Sequence, residues 1–195
     1  MSPDETILMP LGIPLGKLPP STDNDGGYLV RRRREFCVLD QKTYVVWCEA
    51  LSCRPRQALL GDIAEKWRYD REVLDTAVEE MLQRSLLIEV SGSSEESWPL
   101  IRSLRPLPRA IAIGYWDSPP GSFLLVSPDV KGQMVLDAVA YELFSRFDGV
   151  ESLETAVKAC IMDTGFSPRF VRERCHSLLI STVRTSLLIA DVCQS

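Results

Sequence analysis

The chain states one pattern twice, and this repetition constrains its fold more than any other feature. Phe36-Cys37-Val38-Leu39-Asp40, three helix-like segments and Ser85-Leu86-Leu87-Ile88 are answered by Phe123-Leu124-Leu125-Val126-Ser127, three more helix-like segments and Ser186-Leu187-Leu188-Ile189. The opening landmarks Phe36 and Phe123 lie 87 residues apart and the closing ones, Leu86 and Leu187, 101, so the second copy is expected to carry 14 extra residues. Each copy reads as a short strand, a helical triplet and a closing strand. Neither copy supplies a catalytic constellation, so the duplication points to binding before catalysis.

The repeat divides the 195 residues into modules at 28–98 and 99–195, preceded by an arm at 1–27. Pro3, Pro10, Pro14, Pro19 and Pro20 fix φ and remove donors, so the arm is extended rather than helical. Its stretch Ile7 to Leu15 is too apolar for a disordered tail and is expected to pack along the surface of a folded module. Tyr28 to Leu39 reads as two strands with a reversal inside Arg31-Arg32-Arg33-Arg34-Glu35. Asp40 then suits an N-cap, and Tyr44, Trp47, Cys48 and Leu51 share a helix face. Leu60, Ile63, Ala64 and Trp67 form a second stripe, and Leu74, Ala77, Val78 and Met81 a third.

The small, polar run Ser91 to Ser97 reads as a loop which, with Arg102 to Arg109, connects the modules. Ala110 to Trp116 and Ser122 to Val126 form a strand pair across Asp117 to Gly121, and the second triplet is expected to follow immediately. Its stripes are Leu136, Val139, Ala140, Leu143 and Phe147; Leu153, Ala156, Val157 and Cys160; then Val171, Cys175, Leu178 and Leu179 behind a Ser167-Pro168 start. The predicted class is α+β, with two tandem winged-helix-like modules, each a small antiparallel β-sheet plus three α-helices.

Chemistry-bearing residues are sparse. Of the six cysteines, Cys48 and Cys53 come nearest to a metal half-site, but no second pair follows and His176 is the only histidine. The cysteines therefore read as small buried hydrophobes. His176 is expected at the surface, diverging by about 100° from Cys175 on the same helix. No catalytic residue, metal site or cofactor is expected, and the chain is read as a non-enzyme. Its apolar runs are shorter than the ~20 residues that span a bilayer. The acidic, proline-bearing start differs from a secretory signal, so no membrane association is expected and a cytoplasmic location is the default.

The arginine run at 31–34 has two readings: a charged edge that repels other edges, or recognition of an acidic ligand. Three helices beside a β element also describe DNA-binding winged helices. A formal charge of −5 and a pI near 5.0 disfavour nucleic acid. Module one's third helix is acidic; module two's carries Arg169, Arg172, Arg174 and Arg184 against Glu173.

Ser122-Phe123-Leu124-Leu125-Val126, the Phe147-Asp148-Gly149 turn and the Ser152-led helix through Val157 resemble the PqqD-like fold, the winged-helix RiPP recognition element. The likeness covers about half the chain; module one has Leu51-Ser52-Cys53-Arg54-Pro55 where module two has Asp-Gly. The resemblance implies a non-catalytic accessory protein that binds the leader of a ribosomally made precursor peptide by strand addition beside the third helix. Carried onto this chain, it places the groove of module two at Ser122, Phe123, Leu124, Leu125, Val126, Arg169, Phe170, Val171 and Arg174. That of module one runs along Glu35 to Leu39 and Val73 to Leu82, with Arg31, Arg33, Phe36 and Val38 facing the peptide. The implied partners are the leader peptide and a modifying enzyme such as a kinase, lyase or cyclase. A homo-oligomer, a DNA-binding regulator and a protein–protein scaffold stay open as alternatives.

Overall fold

The computed structural model describes residues 6–20, 26–32, 34–116, 121–128 and 132–192. The fold is α+β, and the chain divides between Gly92 and Ser93 into two compact units. That boundary precedes the expected one because Ser93 starts a helix, so the Ser91–Ser97 run is only in part a loop.

Unit 1 begins with β1 (Thr6–Pro10), followed by β2 (Ile13–Leu18), β3 (Gly27–Arg32) and β4 (Glu35–Leu39). It continues through α1 (Gln41–Glu49), a 3-10 turn at Ala50–Ser52, α2 (Arg56–Trp67), α3 (Arg71–Gln83) and β5 (Leu87–Ser91). β2, β3 and β4 form one antiparallel sheet in that order, and β1 pairs separately with β5. The described part of the N-terminal arm is extended as its prolines require; Leu15 is exposed at the surface as expected, but the stretch before it is not. Ile7, Leu8 and Met9 are fully buried, and the Trp47 indole N–H donates to the Leu11 carbonyl at 3.2 Å. Strand pairing with β5 satisfies the backbone of β1, so this apolar stretch enters the core beside Leu59, Leu74, Val78 and Leu86.

The first helix is rotated from its expected face. Thr43, Val46, Trp47 and Ala50 are buried, while Tyr44 and Cys48 are only half-buried. Tyr44 stacks on Tyr28 of β3, with ring centroids 4.2 Å apart. The third stripe, Leu74, Ala77, Val78 and Met81, is buried as the spacing predicts.

Unit 2 repeats the order of these described elements behind a helix of its own. It comprises α4 (Ser94–Ile101), β6 (Leu104–Pro108), β7 (Ile111–Trp116), β8 (Ser122–Val126), β9 (Gln133–Leu136), α5 (Ala138–Phe144), α6 (Leu153–Thr164), α7 (Pro168–Arg184) and β10 (Leu188–Val192). β6 pairs with β10 as β1 does with β5, and β7, β8 and β9 form the second three-stranded sheet. The expected connection at Arg102–Arg109 is therefore mostly a strand. The second helical triplet does not follow β8 directly either, because β9 intervenes. His176 is 5% exposed rather than at the surface, since α7 packs against α4, α5 and α6 at once.

These elements correct the alignment of the two copies. Asp40 caps α1 by accepting from the Thr43 N–H at 2.7 Å, and Asp137 caps α5 by accepting from Ala140 at 2.8 Å. Tyr28 stacks on Tyr44, and Phe123 stacks on Tyr141 at 3.8 Å. Thus β8 corresponds to β3, and β9 to β4; Phe36 and Phe123 are not equivalent. The true offset is 97 residues from Asp40 to Asp137 and 101 from Ser85 to Ser186, leaving four extra residues instead of 14. They form one more turn in the last helix, 17 residues in α7 against 13 in α3.

Both last helices end alike. The Ser85 and Leu86 N–H groups donate back to Leu82 and Met81, and those of Ser186 and Leu187 to Val183 and Thr182. This is the Schellman pattern, with serine at the left-handed position (φ 52° and 57°) that glycine usually fills. An L side chain there costs roughly 1 kcal/mol, partly offset in glycine by its freer unfolded chain. Ser85→Gly is therefore expected to raise stability by about 0.5 kcal/mol, and Ser85→Val to lower it, as read in thermal melts.

Candidate functional site

The order β2-β3-β4 leaves β4 at an edge, paired only with β3 among the described residues. Pairing of Arg32 with Glu35 brackets a two-residue connection. Such hairpins make the flanking residues a hydrogen-bonded pair, so by alternation Arg31/Phe36 and Leu29/Val38 are non-hydrogen-bonded pairs. The main-chain N–H and C=O groups of Phe36 and Val38 consequently point to the free edge. Their side chains stand on the solvent face, 64% and 43% exposed, with exposed Arg31 opposite Phe36. Cys37 and Leu39 turn inward toward the core.

The arginine run divides its work. Arg32 reaches the last turn of α3, donating to the Arg84 carbonyl at 2.6 Å, and it pairs with Glu35 at 3.0 Å. A guanidinium on a helix C-terminal carbonyl is favourable for the helix dipole, so this residue anchors the hairpin. Arg31 and Arg34 are exposed, and Arg33 lies outside the described residues.

In unit 2 the expected groove moves by one strand. β8 is the centre of its sheet, with Ser122, Leu124 and Leu125 buried and Phe123 and Val126 half-buried, so it has no edge to offer. The groove instead lies between β9 and α7, about 170 Å³ lined by Met134, Val135, Leu136, Arg174, Leu178 and their neighbours. Arg174 ion-pairs with Asp137 across it and lies 6.0 Å from the Phe170 ring. Val171 is a core residue, and Arg169 points away to Glu173 at 2.9 Å and Glu95 at 3.6 Å. Counted back from the shared helix end, the unit 1 position matching Arg174 is Val73, 39% exposed. Unit 1 thus has an apolar residue where the groove of unit 2 is crossed by an ion pair.

The Asp148-Gly149 turn is built for unit 2's own packing. Asp148 accepts from the Val150 and Glu151 N–H groups at 2.7 and 2.8 Å, and these bonds hold its carboxyl below the usual range. Gly149, at φ 76°, donates to the Pro106 carbonyl at 2.9 Å, and a Cβ there would lie 2.8 Å from Leu107 Cδ1. Asp40 is also held low: burial pushes its carboxyl up, but the Thr43 bonds and the Lys42 charge outweigh that. A carboxyl lowered on folding stabilises the fold above its unfolded pKa and loses that contribution as pH falls through its folded one. The urea midpoint should therefore drop as pH falls below the ordinary value of 3.8, and the gap between wild type and Asp148→Asn should close over the same range.

Cys175 is fully buried, and burial pushes its thiol up to about 12, so beside His176 it stays protonated at neutral pH. Among the described residues no group of three or more His, Cys, Asp or Glu side chains is placed to hold a metal ion, and no helix is long and apolar enough to cross a membrane. Cys37, Cys48, Cys160 and Cys175 are free thiols.

No family model, curated protein or solved structure matches the chain.

Proposed function

We propose that the protein is a non-catalytic, cytoplasmic accessory protein that takes up an extended peptide segment as an added strand on β4 of unit 1. In this reading it presents a precursor leader to a modifying enzyme in peptide natural-product biosynthesis. The observation that carries it is the free β4 edge. Phe36 and Val38 expose both side chain and outward main chain there, so backbone pairing supplies affinity and the apolar side chains supply selectivity. Exposed Arg31 and Arg34 flank the strand and favour acidic residues in the peptide. Unit 2 has the same architecture, but its edge lies behind the Asp137–Arg174 pair, which an incoming strand must break. The resemblance to RiPP recognition elements supplies the leader as ligand, and free cysteines agree with a reducing compartment.

DNA binding is the weaker reading. Of the basic side chains on α7, Arg169 and Arg174 are paired with carboxylates, and α3 carries Glu72, Asp75, Glu79 and Glu80. Panning a displayed library of short linear peptides against the full chain tests the proposal. It should return sequences that alternate apolar residues with acidic ones; enrichment without that alternation, or no enrichment, contradicts it.

A further inference from the structure

Among the described residues α4 has no counterpart in unit 1, and it frames a pocket of its own. Between α4 and the first turns of α7 lies a pocket of about 350 Å³ lined by Ser94, Glu95, Trp98, Pro99, Arg169 and Arg172. Trp98 and Pro99 give it apolar walls, and the Arg172 guanidinium lies over the Trp98 ring, 5.4 Å from its centroid. The two arginines differ in their partners. Arg169 is shared between Glu173 at 2.9 Å and Glu95 at 3.6 Å, which also neutralises the glutamate lining the pocket. Among the described residues Arg172 forms no ion pair; Glu154, a carboxylate that feels its charge, is hydrogen-bonded to Lys158.

We propose that this pocket binds a carboxylate carried on an apolar stem, with the stem against Trp98 and Pro99 and the carboxylate on Arg172. Contact with the indole face helps to hold the guanidinium in place, and its N–H groups suit bidentate pairing with a planar carboxylate. The same chemistry is offered by a small aryl-alkyl acid and by a peptide ending in an aromatic residue. This site is independent of the β4 edge, so either can fail without the other.

Calorimetry of the full chain with 3-phenylpropionate, with its amide, and with a short peptide ending in phenylalanine as free acid or amide tests it. At least one acid should bind saturably and its amide at least about tenfold more weakly, since a charged hydrogen-bonded pair is lost. Binding of the small acid assigns a small-molecule site, and binding of the peptide acid alone assigns a chain terminus. Arg172→Gln should weaken the acid by about tenfold or more, and Trp98→Ala should weaken acid and amide together. Both arginines are exposed, so Arg172→Gln should leave the fold intact, and unchanged circular dichroism checks this. Equal binding of acid and amide, unchanged affinity in Arg172→Gln, or no saturable binding of either acid overturns the proposal.

Discussion

Val38→Pro should weaken the binding of an edge-pairing peptide by at least about tenfold while leaving the chain folded. Val38 belongs to a non-hydrogen-bonded pair with Leu29, so its N–H faces the free edge and proline removes no bond to β3. An added strand loses one donor and meets the proline ring where its own carbonyl should lie. One lost hydrogen bond at about 1 kcal/mol plus local displacement exceeds the 1.4 kcal/mol that corresponds to tenfold. Cys37→Pro is the informative contrast, because its N–H belongs to the β3 ladder and the substitution should destabilise the sheet itself. The peptides selected on the wild type are the probes, read by calorimetry. Unchanged affinity in Val38→Pro would remove β4 as the site, whereas a substitution in β8, such as Leu124→Pro, would damage the centre of a sheet and report on folding alone.

Leu8→Ala should cost about 3 kcal/mol, the usual scale for emptying a fully buried leucine site. Leu8 sits among prolines in what reads as an arm, yet it packs with Trp47, Leu59, Leu74 and Leu86 in the core of unit 1. β1 also satisfies its backbone through β5 and through the Leu8 N–H to the Arg54 carbonyl at 3.3 Å. Urea denaturation of the full chain measures the effect. A loss under about 1 kcal/mol, the range of surface substitutions, would show that the arm packs loosely outside the core.

The helices were largely legible because a 3.6-residue period survives in short segments, as in Leu74, Ala77, Val78 and Met81 or Leu153, Ala156, Val157 and Cys160. Helix caps were legible for a local reason: Asp40 and Ser167 bond N–H groups three residues on. Strand partners were not, since pairing is decided by residues far apart in sequence. β1 and β6 find β5 and β10 some 80 residues later, and no local period announces this. β9 was missed because Gln133-Met134-Val135-Leu136 is short and follows a loop-like stretch, and without it β8 looked like the edge. A signal was available, however. Leu39-Asp40 and Leu136-Asp137 are each followed four residues after the aspartate by a tyrosine, Tyr44 and Tyr141, and each tyrosine stacks on the middle strand of its sheet. Aligning on that pair places β4 opposite β9 and brings Asp137 and Arg174 to the groove. The exposed apolar face of β4 was legible from Phe36 and Val38 because alternation along a strand needs no partner to be read.

The central claim is that β4 accepts a strand, and amide hydrogen exchange with and without a selected peptide tests it most directly. Binding should slow exchange at Phe36 and Val38, whose N–H groups face the free edge, and leave Cys37 and Leu39, already bonded to β3, nearly unchanged. Slowing confined to unit 2, or to Cys37 and Leu39 without Phe36 and Val38, would contradict strand addition at this edge.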